Sequence, residues 1–374
     1  MRARVPFALR NLTHRKLRSA TALAAVCFSA LLMFMELGFY QSVMTAAITI
    51  YRAMDVDLFV VSTAYQSLGH TATIPRQRIY QARAISGVRQ VLPLFVDIEV
   101  WRNPRTRLRY GLLILGMDPS MPFQPFTNAA PLLRGRGLLL DTLSRPWFGS
   151  QDVGVTTEIG QTQVRVAGNY TLGPGFTADG AAVVSSDTFL QIFPHHDIGN
   201  VSVGLIRLDP NSRPEEVAES LRRSLPSDTR VFTRAELLEH EKTYWADGTS
   251  LGPVFGSGVV LGLIIGIVIL YQVMSNDIAS RIREYATLKA LGYTFRQLAG
   301  IVLTEVSAFG VAGFVLGLLL ASTLYKFVRE ETGMPVAMDA SMAVAVFLLT
   351  LAMCWISGWL ATRRVRRADP AELF

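Results

Sequence analysis

The chain has 374 residues, half of them hydrophobic. That is too apolar for an ordinary soluble protein of this length, and it leaves room for a membrane part plus one or two soluble domains. The formal charge of +7 is concentrated: residues 1–18, 277–296 and 363–374 hold 14 Lys/Arg against 4 Asp/Glu, leaving 22 against 25 elsewhere. Basic residues confined to the flanks of apolar runs follow the positive-inside rule, and this argues against nucleic acid as a partner.

Residues 1–18 carry Arg2, Arg4, Arg10, Arg15, Lys16 and Arg18 with no acid, and Phe7, Leu9, Leu12 and Leu17 are interspersed. This reads as an amphipathic cytoplasmic lead-in. The apolar run that follows has the roughly 20 residues a bilayer demands and lacks the short core of a cleaved signal. It is expected to be the first transmembrane helix, 19–44. Glu36, the one acid inside it, lies near its outer end, where a structural or interfacial role is favoured over a proton or substrate site. Neither Cys27 nor Cys354 leaves an apolar run, so no disulfide framework is expected.

Residues 45–250 read as an α+β domain. Strand-like runs at Asp57–Ser62, Val91–Val100, Leu112–Gly116, Val164–Gly168, Ala181–Val184 and Val201–Leu208 alternate with helical stretches. Pro75 suits the first turn of a helix over 76–86. Ser212 with Glu215, and Thr233 with Glu236, have capping-box spacing, and Phe232 and Leu237 are placed as a hydrophobic staple. The strand–helix–strand piece at 201–232 suggests a ferredoxin-like or porter-like subdomain. Gly/Pro-rich stretches at Asp118–Pro131 and Leu172–Gly180 read as loops that divide the domain into two lobes. Tyr244 and Trp245 suit an interfacial aromatic belt.

A second span, 251–276, carries Gly258, Gly262 and Gly266 four residues apart, with Gly252 and Gly256 in a parallel row; small residues at this spacing let helices approach closely. A third span, 297–326, repeats the device with Gly313 and Gly317 and holds Glu305 near its inner end. A short outer loop, 327–339, leads to a fourth span, 340–362, and a basic tail, 363–374. The expected fold is an α-helical membrane protein with four transmembrane helices and an α+β periplasmic domain inserted between helices 1 and 2. Both termini are expected in the cytoplasm and the chain in the inner membrane, multi-pass in the lipid bilayer.

The segment 277–296 between spans two and three is the most informative stretch. Ile278, Ile282, Tyr285 and Leu288 recur at helical spacing and share one side. Arg281, Arg283, Glu284 and Lys289 supply polar contacts. Gly292 suits a C-terminal cap, and Thr294 with Gln297 restarts a helix. A helix held between two spans moves only with them, so this segment is expected to be gripped by an ATPase on another chain. The chain itself has no Walker A loop: none of Lys16, Lys242, Lys289 and Lys326 follows a glycine. Neither G-x-S-x-G nor H-E-x-x-H occurs. His195, His196 and Asp197 look like a metal cluster but read as solvated turn residues, and Asp97 and Glu99 read as surface residues. No enzyme activity, cofactor or metal is expected.

These residues also resemble a known group. Tyr244-Trp245, the glycine row, Tyr271-Gln272 and the run Glu284-Tyr285-Ala286-Thr287-Leu288-Lys289-Ala290-Leu291-Gly292-Tyr293 resemble DevC-type permeases of ABC exporters, within the MacB/FtsX-like superfamily. Met353 to Gly358, Arg366 to Phe374, Ser144 to Gly149 and Trp101 to Pro104 are similar as well. The resemblance implies a permease homodimer working with a separate ABC ATPase dimer, a periplasmic membrane-fusion-type adaptor and an outer-membrane channel. ATP-driven motion would pass by mechanotransmission to the outer domain and export a lipid, glycolipid or other hydrophobic substrate. Its ATPase-coupling residues would be Ile278, Arg281, Ile282, Glu284, Tyr285, Leu288, Lys289, Leu291 and Gly292; the helix-packing residues would be Gly258, Gly262, Gly266, Gly313 and Gly317. The alternatives are an FtsX-like regulator of a periplasmic cell-wall hydrolase and a lipoprotein-extracting permease.

Overall fold

The computed structural model describes residues 16–121, 123, 133–173, 175 and 177–367. The basic lead-in before residue 16, most of the loop at 118–131 and the end of the basic tail lie outside the described residues. The chain forms two units: Met1–Gln41 with Gly252–Glu330 and Val336–Phe374, and Ser42–Leu251 with Glu331–Pro335.

The first unit is helical. Among the described residues, four helices are long and apolar enough to cross a membrane: α1 (Lys16–Ala53), α6 (Leu251–Ser280), α8 (Phe295–Thr332) and α9 (Ala340–Arg367), with short α7 (Ile282–Ala290) between α6 and α8. Large apolar side chains such as Val260, Ile264, Val268, Leu319, Leu320, Leu348 and Trp355 are exposed, as expected where the solvent is hydrocarbon. All four helices outrun the expected spans, α9 by five residues at its C-terminal end. α8 reaches Thr332 because nothing breaks it before Gly333, whose φ of 66° ends it; at 1.5 Å per residue it is roughly 57 Å long. α6 continues to Ser280, and α1 continues to Ala53, its residues from Ser42 onward belonging to the second unit.

The glycines set how closely these helices pack. The row on α6 faces α1: a Cβ on Gly258 would strike the carboxylate of Glu36, one on Gly262 would touch Leu32 and Met33, and one on Gly266 would strike Ser29 and Met353. Gly313 and Gly317 of α8 lie against α1 as well, a Cβ on Gly313 coming 3.2 Å from the backbone nitrogen of Cys27 and one on Gly317 coming 3.2 Å from its carbonyl oxygen. Backbone cannot rotate away as a side chain can. Gly313→Leu is therefore expected to cut the yield of monodisperse protein in detergent, through an overpacking penalty at or above about 1–3 kcal/mol. Gly300→Leu, where an added Cβ meets nothing within 4 Å, is the control that leaves yield unchanged.

The second unit is α+β. Its strands are β1 (Leu58–Ser62), β2 (Ile74–Pro75), β3 (Val88–Arg102), β4 (Arg109–Met117), β5 (Gly137–Asp141), β6 (Thr156–Ile159), β7 (Thr162–Tyr170), β8 (Gly180–Ser185), β9 (Asn200–Val201), β10 (Val203–Leu208) and β11 (Thr229–Thr233). Its own helices are α2 (Gln77–Arg83), α3 (Ser186–Ile192), α4 (Pro214–Ser224) and α5 (Arg234–Asp247). Among the described residues, nine strands form one sheet in the order β11-β1-β10-β3-β4-β8-β5-β7-β6, and β2 pairs with β9. The sheet curls until Trp101 at the end of β3 pairs with Ile159 of β6.

The block β11-β1-β10-β3, antiparallel throughout, is the strand–helix–strand–strand–helix–strand arrangement of a ferredoxin-like unit. The segment from β4 to β9 is inserted between its second and third strands. Both faces are covered: Leu58 and Val60 join α2 and α4 in one core, while Phe59 and Val61 join the end of α1 and Leu237 of α5 in another. Burial on both faces explains why β1, β5 and β8 are continuous apolar runs rather than alternating ones.

Two local expectations change. Pro75 ends β2 and the helix begins two residues later, at Gln77 behind an Arg76 cap. Ser212 does not cap α4: Arg213 holds that position, and the Ser212 hydroxyl donates to the Gly87 carbonyl (3.4 Å). The Thr233/Glu236 capping box of α5 is complete, with both reciprocal bonds made.

Candidate functional site

Between α6 and α8 the chain makes two tight joints with α7 held between them. At the first, Arg281 leaves helical geometry (φ −113°, ψ 20°). Its N–H still donates to the carbonyls of Asp277 (3.2 Å) and Ile278 (3.1 Å), and its Nε lies 3.4 Å from Asp277 Oδ2. Both side chains are nearly buried, 11% and 10% exposed. Buried Glu305 of α8 adds a second acid close enough to feel both charges.

The second joint is a Schellman cap. Gly292 takes a φ of 90°, its N–H donates to the Lys289 carbonyl (3.1 Å), and the Tyr293 N–H donates to the Leu288 carbonyl (3.1 Å). α8 then starts at once. Gln297 Oε1 accepts from the Thr294 N–H (2.9 Å) and also from the Thr294 hydroxyl (3.0 Å). Only half of the expected capping box forms, because that hydroxyl donates to Gln297 instead of accepting from its N–H.

The structure divides the nine sequence-derived coupling residues by face. Tyr285, 7% exposed, and Ile278, 2% exposed, join Leu298, Val302 and Ala361 in one buried apolar cluster, and Leu288 packs against it. These hold α7 to its own helices. Burial, aided by the charge of Glu305, pushes the Tyr285 hydroxyl up to about 12, so it stays neutral. Arg281 belongs to the buried ion pair, and Ile282 is half-buried. Glu284, Lys289, Leu291 and Gly292 are exposed, as are Arg283, Thr287, Ala290, Tyr293, Phe295 and Arg296. Leu291 is 73% exposed. Sequence periodicity found an apolar face but could not say that the face turns inward. The exposed apolar group at 291–295 follows the helix and has no period to reveal it.

The segment lies inside a family match: residues 256–370 match the FtsX-like permease C-terminal domain. α7 and its two joints lie within the matched residues, together with α8 and α9. A comparison with curated proteins gives no match. Among solved structures, the periplasmic region of MacB from Actinobacillus actinomycetemcomitans is similar at 8% identity and a TM-score of 0.38, over 50% of this chain and 94% of that one. The extracellular domain of the noncanonic ABC-type transporter YknZ from Gram-positive bacteria is similar at 14% identity and a TM-score of 0.33, over 47% and 98%.

The second unit holds a buried polar chain of its own that sequence reading passed over. Glu241 of α5 is fully buried. Its Oε1 accepts from the Tyr65 hydroxyl, its Oε2 accepts from the Leu68 N–H (3.3 Å), and Tyr65 is hydrogen-bonded in turn to the Tyr51 hydroxyl of α1 (2.6 Å). Burial pushes the Glu241 carboxyl up to about 7 despite the lowering effect of the bonds from Tyr65 and Leu68. The available signal was its place at i+4 from Leu237 and i−4 from Trp245, on the apolar side of α5.

Proposed function

We propose that this chain is the permease subunit of an ABC-type exporter and that α7 passes the motion of a separate ATPase dimer to the helices on either side. The observation that carries the reading is the two-sided build of α7. Tyr285 and Leu288 fasten it inward, in one apolar cluster with Ile278 of α6, while Arg283, Glu284, Thr287 and Lys289 of α7, and Leu291, Tyr293 and Phe295 just after it, are exposed. A nine-residue helix locked at both ends by backbone hydrogen bonds hands a push to α6 and α8 rather than absorbing it. The FtsX-like match over this region supports the same reading. With α7 on the cytoplasmic side, both termini are cytoplasmic and the α+β unit is periplasmic, the orientation that the basic flanks favour. The DevC-type resemblance extends the proposal to a permease homodimer, a periplasmic adaptor, an outer-membrane channel and a lipid-like cargo. ATP hydrolysis belongs to the partner chain.

The test is Leu291→Asp. Burying a new charge in a protein contact at a hot-spot position costs about 2 kcal/mol or more, roughly a 30-fold weaker association. The ATPase that co-purifies with the native chain from membranes should be lost from the variant, and its stimulation by the purified permease should fall with it. Leu291 is so exposed that the melting temperature should stay constant. Full retention of the ATPase by the variant would overturn the reading.

A further inference from the structure

The second unit brings together three metal-ligating groups that the function above does not use. Asp97 lies in β3, and His195 and His196 follow α3; one ligand atom from each lies within 4.8 Å of the others. Asp97 Oδ2 is 2.7 Å from His196 Nε2 and 3.4 Å from His195 Nε2. We propose that Asp97, His195 and His196 form a binding site for a divalent transition metal ion of the zinc class.

The donor chemistry fits such an ion: two imidazole nitrogens and one carboxylate oxygen suit zinc and its neighbours better than magnesium or calcium, which take oxygen ligands. The spacing fits too. Zinc bonds of about 2.0–2.1 Å in tetrahedral geometry put neighbouring ligand atoms about 3.3 Å apart, between the two distances found. The third ligand is not the sequence neighbour Asp197, whose Oδ1 accepts from the Gly199 N–H (2.9 Å). Asp97, far away in sequence, takes that place.

The groups are held in position. The His196 N–H donates to the Phe193 carbonyl (3.0 Å), closing a turn with Pro194 at its second position. Both imidazoles meet Phe193 edge-on, and His196 meets Phe189 in the same way. Asp97 is fixed by β3, which pairs it with Ile114, and its Oδ1 accepts from the Ile98 N–H (2.7 Å). Oδ2 is left to face the histidines. His195 is largely exposed, which leaves the remaining coordination position open to water or an incoming ligand.

The test is titration of the full-length chain, free of any histidine tag, in detergent with Zn2+, read by calorimetry and by melting temperature. One Zn2+ per chain is expected, with a melting rise that EDTA reverses and excess Mg2+ does not prevent. Asp97→Asn and His196→Gln should each weaken binding at least about tenfold, the loss that even an outer-shell partner can cost; His70→Gln should not. The wild-type chain loaded with Co2+ should show the visible absorption of a tetrahedral N/O site, a readout independent of how the variants fold. Absence of Zn2+ binding, or binding that survives both ligand substitutions, would overturn the proposal.

Discussion

Arg281→Ala is expected to be among the most damaging single changes in the membrane unit. Arg281 and Asp277 are both nearly buried at 3.4 Å, and Glu305 is buried beside them. Removing the cation leaves the buried Asp277 and Glu305 carboxyl groups without the Arg281 guanidinium. Breaking a buried ion pair from one side costs about 3–5 kcal/mol, whereas replacing both partners is often neutral. The same change loosens the joint between α6 and α7, so loss of stability and loss of ATPase stimulation should arrive together. The double variant Arg281→Met with Asp277→Asn separates them: most of the melting temperature should return. If Arg281→Ala melts like the wild type in detergent, the ion pair contributes little to holding the joint.

Glu241 should make the α+β unit more stable in acid than in base. Its carboxyl is raised from 4.5 to about 7 in the folded chain, so the folded state favours the neutral form. That contribution is fully present below about pH 4.5, fades as pH rises, and is gone above about pH 7. A shift of this size corresponds to about 3 kcal/mol at 1.36 kcal/mol per unit. Glu241→Gln removes the titration while keeping the shape. The variant minus wild-type difference in stability should therefore grow from pH 5 to pH 8 by about that amount. Hydrogen exchange at the amides of β1 and α5 measures it without mixing in the melting of the membrane helices. A difference flat in pH would mean that Glu241 is ionised throughout.

Much of the architecture was legible because it depends on composition. Four long apolar runs and the strands from Val88 to Met117 announce themselves by length and period. β5 and β6 did not: Gly-Leu-Leu-Leu-Asp is buried on both faces and has no alternation, and Thr-Thr-Glu-Ile is too short to show one. The end of α8 was misplaced because Lys326, Arg329, Glu330 and Glu331 end the apolar run but do not break the helix, which continues to Thr332. At the candidate site, the spacing of Ile278, Tyr285 and Leu288 was visible, but its direction was not. An apolar face packs against whatever neighbour the fold supplies, and here the neighbour is the chain's own bundle. The pairing of Asp97 with His195 and His196 was equally hidden, since nearly a hundred residues separate them and only the sheet brings them together.

The most direct test of the relay uses a photo-crosslinking residue in place of Leu291, and separately in place of Tyr285 and Leu320, in cells that make the native partners. The Leu291 position should give an adduct with a chain that carries a Walker A motif; the other two, one buried and one on the apolar exterior, should not. No such adduct at Leu291, or equal adducts at Leu320, would contradict the assignment of α7 as the element a separate ATPase moves.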